Sequence, residues 1–590
     1  MGNWSAGRGN GAYPAPVIGR SATPRRPGRL LGVLATLILA GCATSSSSAS
    51  IAPDASASTP SDAPPPSASA ATLTPIDGAC GGTTLAEAPW WQDRVFYEVF
   101  VRSFQDSDGD GIGDLRGLTE RLDYLNDGDP STTDDLGVTG IWLMPIAESP
   151  SYHGYDVTDY RAIEADYGTT EDFKAFMDAA HERGIAVIVD QVLNHTSVEH
   201  PWFDDAKIPG SAHDDWYEWS ATEPGVTKPG GGRVWHRAGS RFYYSYFWQG
   251  MADLNLANPE VTAELDSIAR YWLDDLGVDG FRMDAVKHLF EQGAALEELP
   301  ETHAWLEGYQ DRIEAYKPDA LLVGEVYSDT RFSASYVPDD VDLTFDFGFA
   351  ESVVGGLYAG GARTIVPALE ESLAGYPPGQ RAVFLTNHDQ TRVMDKVGGD
   401  VPTAKAAAAL LLTSPGVPFL YYGEEVGLEG DKPDERIRTP MPWEPTLPGV
   451  GFTTGEPWQP PSDGADAANV ATQTDDPASL LSAYRDLIHL RAEHPALAGI
   501  ETVVLTTADD PFLAQIRAAD GEAVLVVTNF GQPTESPTID LSGIPCVTAG
   551  TATEALYGAD SVAPLSDPAA YVPVPALEPY QTIVVELGAS

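Results

Sequence analysis

The chain is short of cysteine, of basic side chains and of long apolar runs, and each shortage excludes something. With 3 Cys in 590 residues, the fold cannot rest on a disulfide framework or on cysteine-ligated zinc. The 34 Lys and Arg stand against 87 Asp and Glu, a formal net charge of -53, which excludes nucleic-acid phosphates as partners by general electrostatics. The acidic excess reads instead as a solvated surface. No dinucleotide fingerprint, P-loop or zinc-ligand set stands out. The N-terminal apolar run, residues 30–39, is too short to span a bilayer. What is present is length for more than one domain.

Arg20, Arg25, Arg26 and Arg29 precede that apolar run, and small residues follow it up to Cys42, the layout of an export signal. Leu39-Ala40-Gly41-Cys42 resembles the lipobox of bacterial lipoproteins, which implies cleavage before Cys42, lipidation of its thiol and attachment of the extracellular protein to the membrane. Residues 1–42 are therefore read as a lipoprotein signal. Residues 43–85, rich in Ser, Ala, Pro and Thr, lack the apolar side chains that could offset ordering entropy and read as a disordered tether. Beyond Cys42 only Cys80 and Cys546 remain. The sequence leaves two readings open, a disulfide joining the start of the next domain to the C-terminal domain or two unpaired thiols.

From residue 86 onward, short β-branched or aromatic runs alternate with longer stretches of helical periodicity. The alternation predicts an α/β fold with a parallel sheet. Strands are expected at 95–101, 140–144, 185–190, 280–284, 321–325, 341–345, 382–387 and 417–422, and eight of them close a (β/α)8 TIM barrel. Helices are expected at 171–183, 261–276, 302–316, 403–412 and 480–494, where apolar residues recur every three or four positions. The wide gap after the third strand predicts an inserted subdomain, residues 196–256, whose Trp235, Phe242, Tyr243, Tyr244, Tyr246, Phe247 and Trp248 supply mostly a small core. The barrel ends near residue 499. Short alternating runs from 500 to 590 predict a C-terminal antiparallel β-sandwich.

Four segments place chemistry at the ends of those strands, where a parallel barrel gathers its active site. They are DQVLNH (190–195), GFRMDAVKH (280–288), GEVY (324–327) and LTNHDQTR (385–392). Cleaving a sugar acetal needs one carboxyl to protonate the leaving oxygen and a second to meet the developing oxocarbenium, and a retaining enzyme holds the two about 5 Å apart. Asp284 and Glu325, on neighbouring strands, can supply such a pair. Arg282, on the same strand face as Asp284, is expected to favour ionised Asp284 and so make it the nucleophile.

Taken in order, these segments resemble the signature regions of the α-amylase family of glycoside hydrolases from about Trp90 to the C-terminus, and GVTGIWLMPI (137–146), MADLN (251–255) and GVPFLYYGEEVG (416–427) extend the match. The resemblance implies Asp284 as nucleophile, Glu325 as general acid/base and Asp389 as the acid that stabilises the transition state. It places His153, Tyr155, His195, Arg282, Lys287, His288, His388 and Arg392 around the substrate and gives Asp190 a structural role. Relatives that release single glucose units usually carry an acid three residues before the stacking tyrosine; here that position is Tyr152. With the Lys287-His288 pair, this implies an endo-acting α-1,4-glucanase working as a monomer on α-glucan polysaccharides or oligosaccharides. The alternatives are an exo-acting α-glucosidase, a neopullulanase or cyclomaltodextrinase, a transglycosylase, or a non-catalytic glucan-binding protein.

The loop after the first strand, DSDGDGIGD (106–114), matches the start of an EF-hand-like loop, with Gly117 where the twelfth-position Glu would stand. By resemblance it is a Ca²⁺ site made by Asp106, Asp108, Asp110, the Ile112 carbonyl and Asp114.

Overall fold

Eight parallel strands hydrogen-bond into a closed barrel in the computed structural model, which describes residues 84–588 except 230, 532, 533 and 536. The described residues fall in one unit, 69–590. Cys42 and Cys80 lie outside them, as do the signal and nearly all of the tether. Cys546 takes part in a disulfide.

The barrel strands are β1 (Phe96–Val99), β2 (Gly140–Leu143), β3 (Ala186–Gln191), β4 (Gly280–Met283), β5 (Leu321–Gly324), β6 (Leu343–Phe345), β7 (Arg381–Val383) and β8 (Val417–Tyr421). Consecutive strands pair in chain order, and β8 closes on β1. All eight expected strands are present, but β7 stops at Val383, so the segment 385–392 is loop and free to turn its side chains toward the barrel mouth. Phe96, Trp142, Ile188, Leu321, Val323, Leu343, Phe345 and Phe419 form the apolar plug inside the barrel. Phe96 and Phe419 stack at 4.7 Å within it.

The plug sets the floor of everything above it. Alternate residues of a strand share a face, so Glu98 stands two positions beyond Phe96, Asp190 beyond Ile188, Arg282 beyond Gly280 and Glu325 beyond Val323. Register does the rest: Arg282 pairs directly with Asp190 on one side and with Val323 on the other. Gly280 is required for this approach, because a Cβ there would meet the Leu321 carbonyl oxygen at 2.1 Å.

The outer helices include α1 (Thr170–Glu182), α2 (Pro259–Arg270), α3 (Pro300–Glu314), α4 (Phe347–Ala359), α5 (Ala362–Gly375), α6 (Val401–Thr413) and α7 (Leu480–Glu493). α1 opens on a capping box in which Thr169 and Asp172 satisfy each other's backbone N–H groups. The helix expected at 261–276 begins at Pro259 and turns into a π-helical stretch, Tyr271–Asp275. Among the described residues no helix is long and apolar enough to cross a membrane.

The insertion after β3 is closed at its base by an antiparallel pair, His195–Ser197 with Met251–Asp253. Inside it, Trp219–Ser220, Arg241–Tyr244 and Trp235–Ala238 make a three-stranded sheet. Phe203, Tyr217, Trp219 and Tyr243 pack edge and face within it, whereas Trp248 is 48% exposed. The C-terminal sheet has the order Glu501–Val504, Phe512–Ala519, Glu522–Asn529, Thr582–Leu587, Thr553–Tyr557, with a two-stranded sheet, Thr534–Glu535 and Ala576–Leu577, beside it.

Candidate active site

One buried cation organises the barrel mouth. Arg282 is fully buried, and its Nη1 lies 2.7 Å from Asp190 Oδ1 and 2.9 Å from Asp284 Oδ1, while Nη2 lies 2.9 Å from Glu325 Oε2. The Nη2 contact is an ion pair out of line with its N–H bonds, since that nitrogen has no aligned acceptor. Asp284 and Glu325 therefore share one guanidinium. Immediately after Asp284, Ala285 takes a left-handed backbone with φ 49°, a conformation that costs a non-glycine residue energy and is found where function demands it. It aims its N–H at Glu325 Oε2, 3.0 Å away.

The electrostatics qualify one expectation, that Arg282 favours ionised Asp284. Burial pushes the Asp284 carboxyl well above its ordinary range; Arg282 opposes this, and Glu325, Asp190 and Asp389 add to it. Arg282 does favour the ionised form, but burial, with the three neighbouring acids, outweighs it. Burial likewise raises Asp190 to about 6 against the pull of Arg282. So many acids in a dry site cannot all ionise, and the cluster retains protons as a group.

Asp389 goes the other way. Desolvation by its protein walls would raise it, but neighbouring positive charge holds it below its ordinary range. The cation that matters is Arg438, whose Nη2 is 2.8 Å from Asp389 Oδ1; His388, although close, is kept neutral by burial. The Asp389 carboxylate is 49% exposed to the cleft. Its folded pKa lies below that of a free carboxyl, so the ionised form is kept on acidification through the ordinary carboxylate range and lost only below it. Arg438→Leu is expected to move an acidic limb of the pH–activity profile upward, toward the ordinary carboxylate range, as measured by initial rates between pH 3 and 6 in that variant and the wild type.

Tyr155 lies behind these acids. Its hydroxyl is 2.7 Å from His388 Nε2, 3.1 Å from Asp190 Oδ2 and 3.3 Å from Arg282 Nη1, and its ring stacks on His388. His153 Nδ1 accepts from the Tyr155 N–H, and burial lowers its pKa. Tyr152 stacks on Trp458 at 5.4 Å, with Arg438 over its ring at 5.9 Å; it is not a free surface aromatic.

Four other expected binders are held by protein groups. His195 is buried, its Nε2 donating to the Tyr155 carbonyl at 3.2 Å and its Nδ1 accepting from Asn194. His288 is pinned between the Leu296 carbonyl and the Tyr246 ring, and Lys287 Nζ bridges Glu297 and the Tyr327 carbonyl, each at 2.8 Å. Arg392 requires correction as a substrate contact: it is buried beneath the site, donates to the Ile437 and Tyr422 carbonyls and lies over two tyrosine rings. It fixes the segment that carries Arg438.

Sequence reasoning passed over Glu98 and Arg438. Glu98 carried a signal, an acid in the middle of the apolar run VFYEVF. Arg438 carried none, because its segment has no periodicity and no motif.

The acidic loop after β1 brings oxygens of Asp106, Asp108 and Asp114 all within 4.8 Å of one another. Asp110 is not in that group. Its carboxylate accepts from the Ile112 N–H at 2.8 Å, inside the loop. Gly109 and Gly111 have φ of 86° and 96°, and a Cβ on Gly111 would strike the Glu456 carbonyl at 2.0 Å.

The family described as "Alpha amylase, catalytic domain" matches residues 98–499. "Alpha-amylase 3" of Dictyoglomus thermophilum is 37% identical over 451 residues, covering 75% of this chain and 86% of that one. A "Trehalose synthase/amylase" of Mycobacterium tuberculosis is 34% identical over 523 residues, covering 76% and 84%. The crystal structure of the α-amylase from H. orenii superposes with a TM-score of 0.75 at 41% identity, over 84% of this chain and 99% of that one.

Proposed function

Because the chain belongs to the α-amylase family of glycoside hydrolases, we propose that it is a retaining enzyme cleaving internal α-1,4-glucosidic bonds of starch, glycogen or maltodextrins. The observation that carries this reading is the shared guanidinium: Arg282 holds Asp284 and Glu325 at 2.9 Å each, so both face one reacting centre. Glu325 protonates the glycosidic oxygen while Asp284 attacks the anomeric carbon; the aglycone then leaves, Glu325 takes a proton from water, and that water displaces the sugar from Asp284 with net retention. Cleavage needs one proton on the pair, on Glu325. Asp389, held ionised by Arg438, meets sugar hydroxyls and the positive charge of the transition state.

Endo action is supported by what stands at position 152. A carboxylate there could hold a chain end; Tyr152, stacked on Trp458, offers an aromatic wall along which a chain can continue. The test is time-resolved product analysis on soluble starch, maltose and sucrose. Viscosity falling ahead of reducing-end release, with mixed maltooligosaccharides as early products, is expected. Glucose as the sole early product would instead favour exo hydrolysis, and maltose converted into another disaccharide would favour an activity like the trehalose synthase named in the mycobacterial relative. Lipid attachment at Cys42 and action outside the cell complete the proposal and rest on the N-terminal sequence.

The loop of Asp106, Asp108 and Asp114 suits a hard cation: its donors are carboxylate oxygens, and its two left-handed glycines leave no space for a side chain. Calcium there would neutralise the acids and pin the loop against the segment carrying Thr453, which donates to Asp106. Chelation with EDTA is expected to lower the melting temperature by about 5 °C, the scale of losing one well-bound ion, and Asp108→Ala should melt at that lower temperature with or without EDTA. Identical melting curves with and without chelator would exclude the site.

A further inference from the structure

Glu98 has no place in the reaction just described, yet it is one of the most deeply enclosed acids of the barrel mouth. It is 2% exposed, and β1 carries it between Tyr421 on β8 and Trp142 on β2. Its Oε1 lies 2.5 Å from His388 Nδ1. The other ring nitrogen, Nε2, is 2.7 Å from the Tyr155 hydroxyl, and that hydroxyl is 3.1 Å from Asp190 Oδ2. Glu98, His388, Tyr155 and Asp190 thus form one buried chain ending on the acid that Arg282 ties to Asp284 and Glu325.

Proton counting gives the chain a direction. Tyr155 has one O–H and two candidate acceptors, Asp190 and His388 Nε2. If His388 Nδ1 carries the hydrogen and donates to Glu98, then Nε2 takes the Tyr155 proton and Asp190 loses that donor. If Glu98 is the donor, Nε2–H donates to the Tyr155 oxygen, and the Tyr155 O–H is released to Asp190. The surroundings favour the second arrangement. Nε2 also faces Asp389 Oδ2 at 3.6 Å, and a carboxylate on that side calls for a hydrogen rather than a lone pair. Asp190, fully buried, needs every donor it can reach.

We propose that Glu98 is a positioning residue whose protonated carboxyl donates to His388 Nδ1, locking His388 in the Nε2–H tautomer and directing the Tyr155 hydroxyl at Asp190. The charged groups facing Glu98 are Arg282, Asp190 and Asp389, and the neutral His388 ring lies against its carboxyl. Arg282 and a hydrogen bond from the His388 backbone oppose retention of the proton, but the Arg282 guanidinium is committed to Asp190, Asp284 and Glu325. Burial, the largest influence, keeps Glu98 protonated well above the ordinary carboxyl range. The role rests on the active-site reading above, but the tautomer can be read without any turnover.

The test has two arms on the full chain. In ¹⁵N-histidine-labelled protein, long-range ¹H–¹⁵N correlations report the tautomer of His388, identified by the signal missing from His388→Gln. A protonated Nε2 is expected; a protonated Nδ1 overturns the proposal whatever the substrate proves to be. In the kinetic arm, Glu98→Gln keeps a donor at Nδ1 but cannot ionise, so kcat/KM on soluble starch should stay within about threefold of wild type at the optimum and its alkaline limb should move to higher pH. Glu98→Leu should lose roughly tenfold or more, the scale of one buried hydrogen bond. Glu98→Gln with an unmoved alkaline limb, or as impaired as Glu98→Leu, overturns the proposal. If all variants and the wild type are inactive on glucans, the function proposed above fails, while the tautomer measurement still decides the role of Glu98.

Discussion

Asp284→Asn is expected to abolish glucan cleavage, with kcat on soluble starch lower by at least roughly ten-thousand-fold, the scale of removing an enzyme's covalent nucleophile. The amide keeps the shape of the side chain and can remain beside Arg282 Nη1, so folding should survive; what is lost is the ability to bond to the anomeric carbon. Glu325→Gln removes the proton donor and should be comparably inactive on starch, whose leaving group needs protonation. It should recover more rate than Asp284→Asn on an activated aryl or fluoride glucoside, because an activated leaving group departs without an acid. Wild-type enzyme should release the α-anomer first, visible by proton NMR before mutarotation. An active Asp284→Asn, or initial release of the β-anomer, would remove both the role of Asp284 and the retaining mechanism.

The second large effect concerns stability. Arg282→Met should destabilise the fold by about 3–5 kcal/mol, because removing one partner of a buried ion cluster leaves its carboxylates uncompensated. Asp190, Asp284 and Glu325 all contact this one side chain, two of them through Nη1. The pH dependence has a definite sign. Burial already raises Asp190 to about 6, and without Arg282 the opposing pull is gone, so Asp190 and Asp284 shift further up. A carboxyl raised in the folded state contributes stability that is present at low pH and lost as the pH climbs through its folded pKa. The deficit of Arg282→Met relative to wild type should therefore be smaller at pH 5 than at pH 8. Urea-unfolding midpoints at the two pH values measure it, and equal deficits would mean that Arg282 acts by packing rather than charge.

The barrel was legible because its information is local. A strand of four or five β-branched and aromatic residues between helical stretches reads the same way in sequence as in space, and all eight strands lie where the alternation put them. Ends were less legible: β7 stops at Val383, since the following residues trade ladder hydrogen bonds for side-chain contacts at the barrel mouth. The competition for Arg282 was not legible, for a physical reason. Sequence places Arg282 two positions away but does not show that Asp190 and Glu325 draw on the same charge. Arg392 was misjudged as a substrate contact because membership of a motif says nothing about which way a side chain faces.

Alone, the sequence determined the acids that can do chemistry and the barrel strands they stand on or follow, because a strand's β-branched and aromatic run and the motif after it are both local in the chain. Only the tertiary structure decided which charges those acids feel. Arg438 reaches Asp389 across 49 positions and Glu98 reaches His388 across 290. Coulomb interaction and burial depend on distance in space, and a linear chain records distance only between near neighbours.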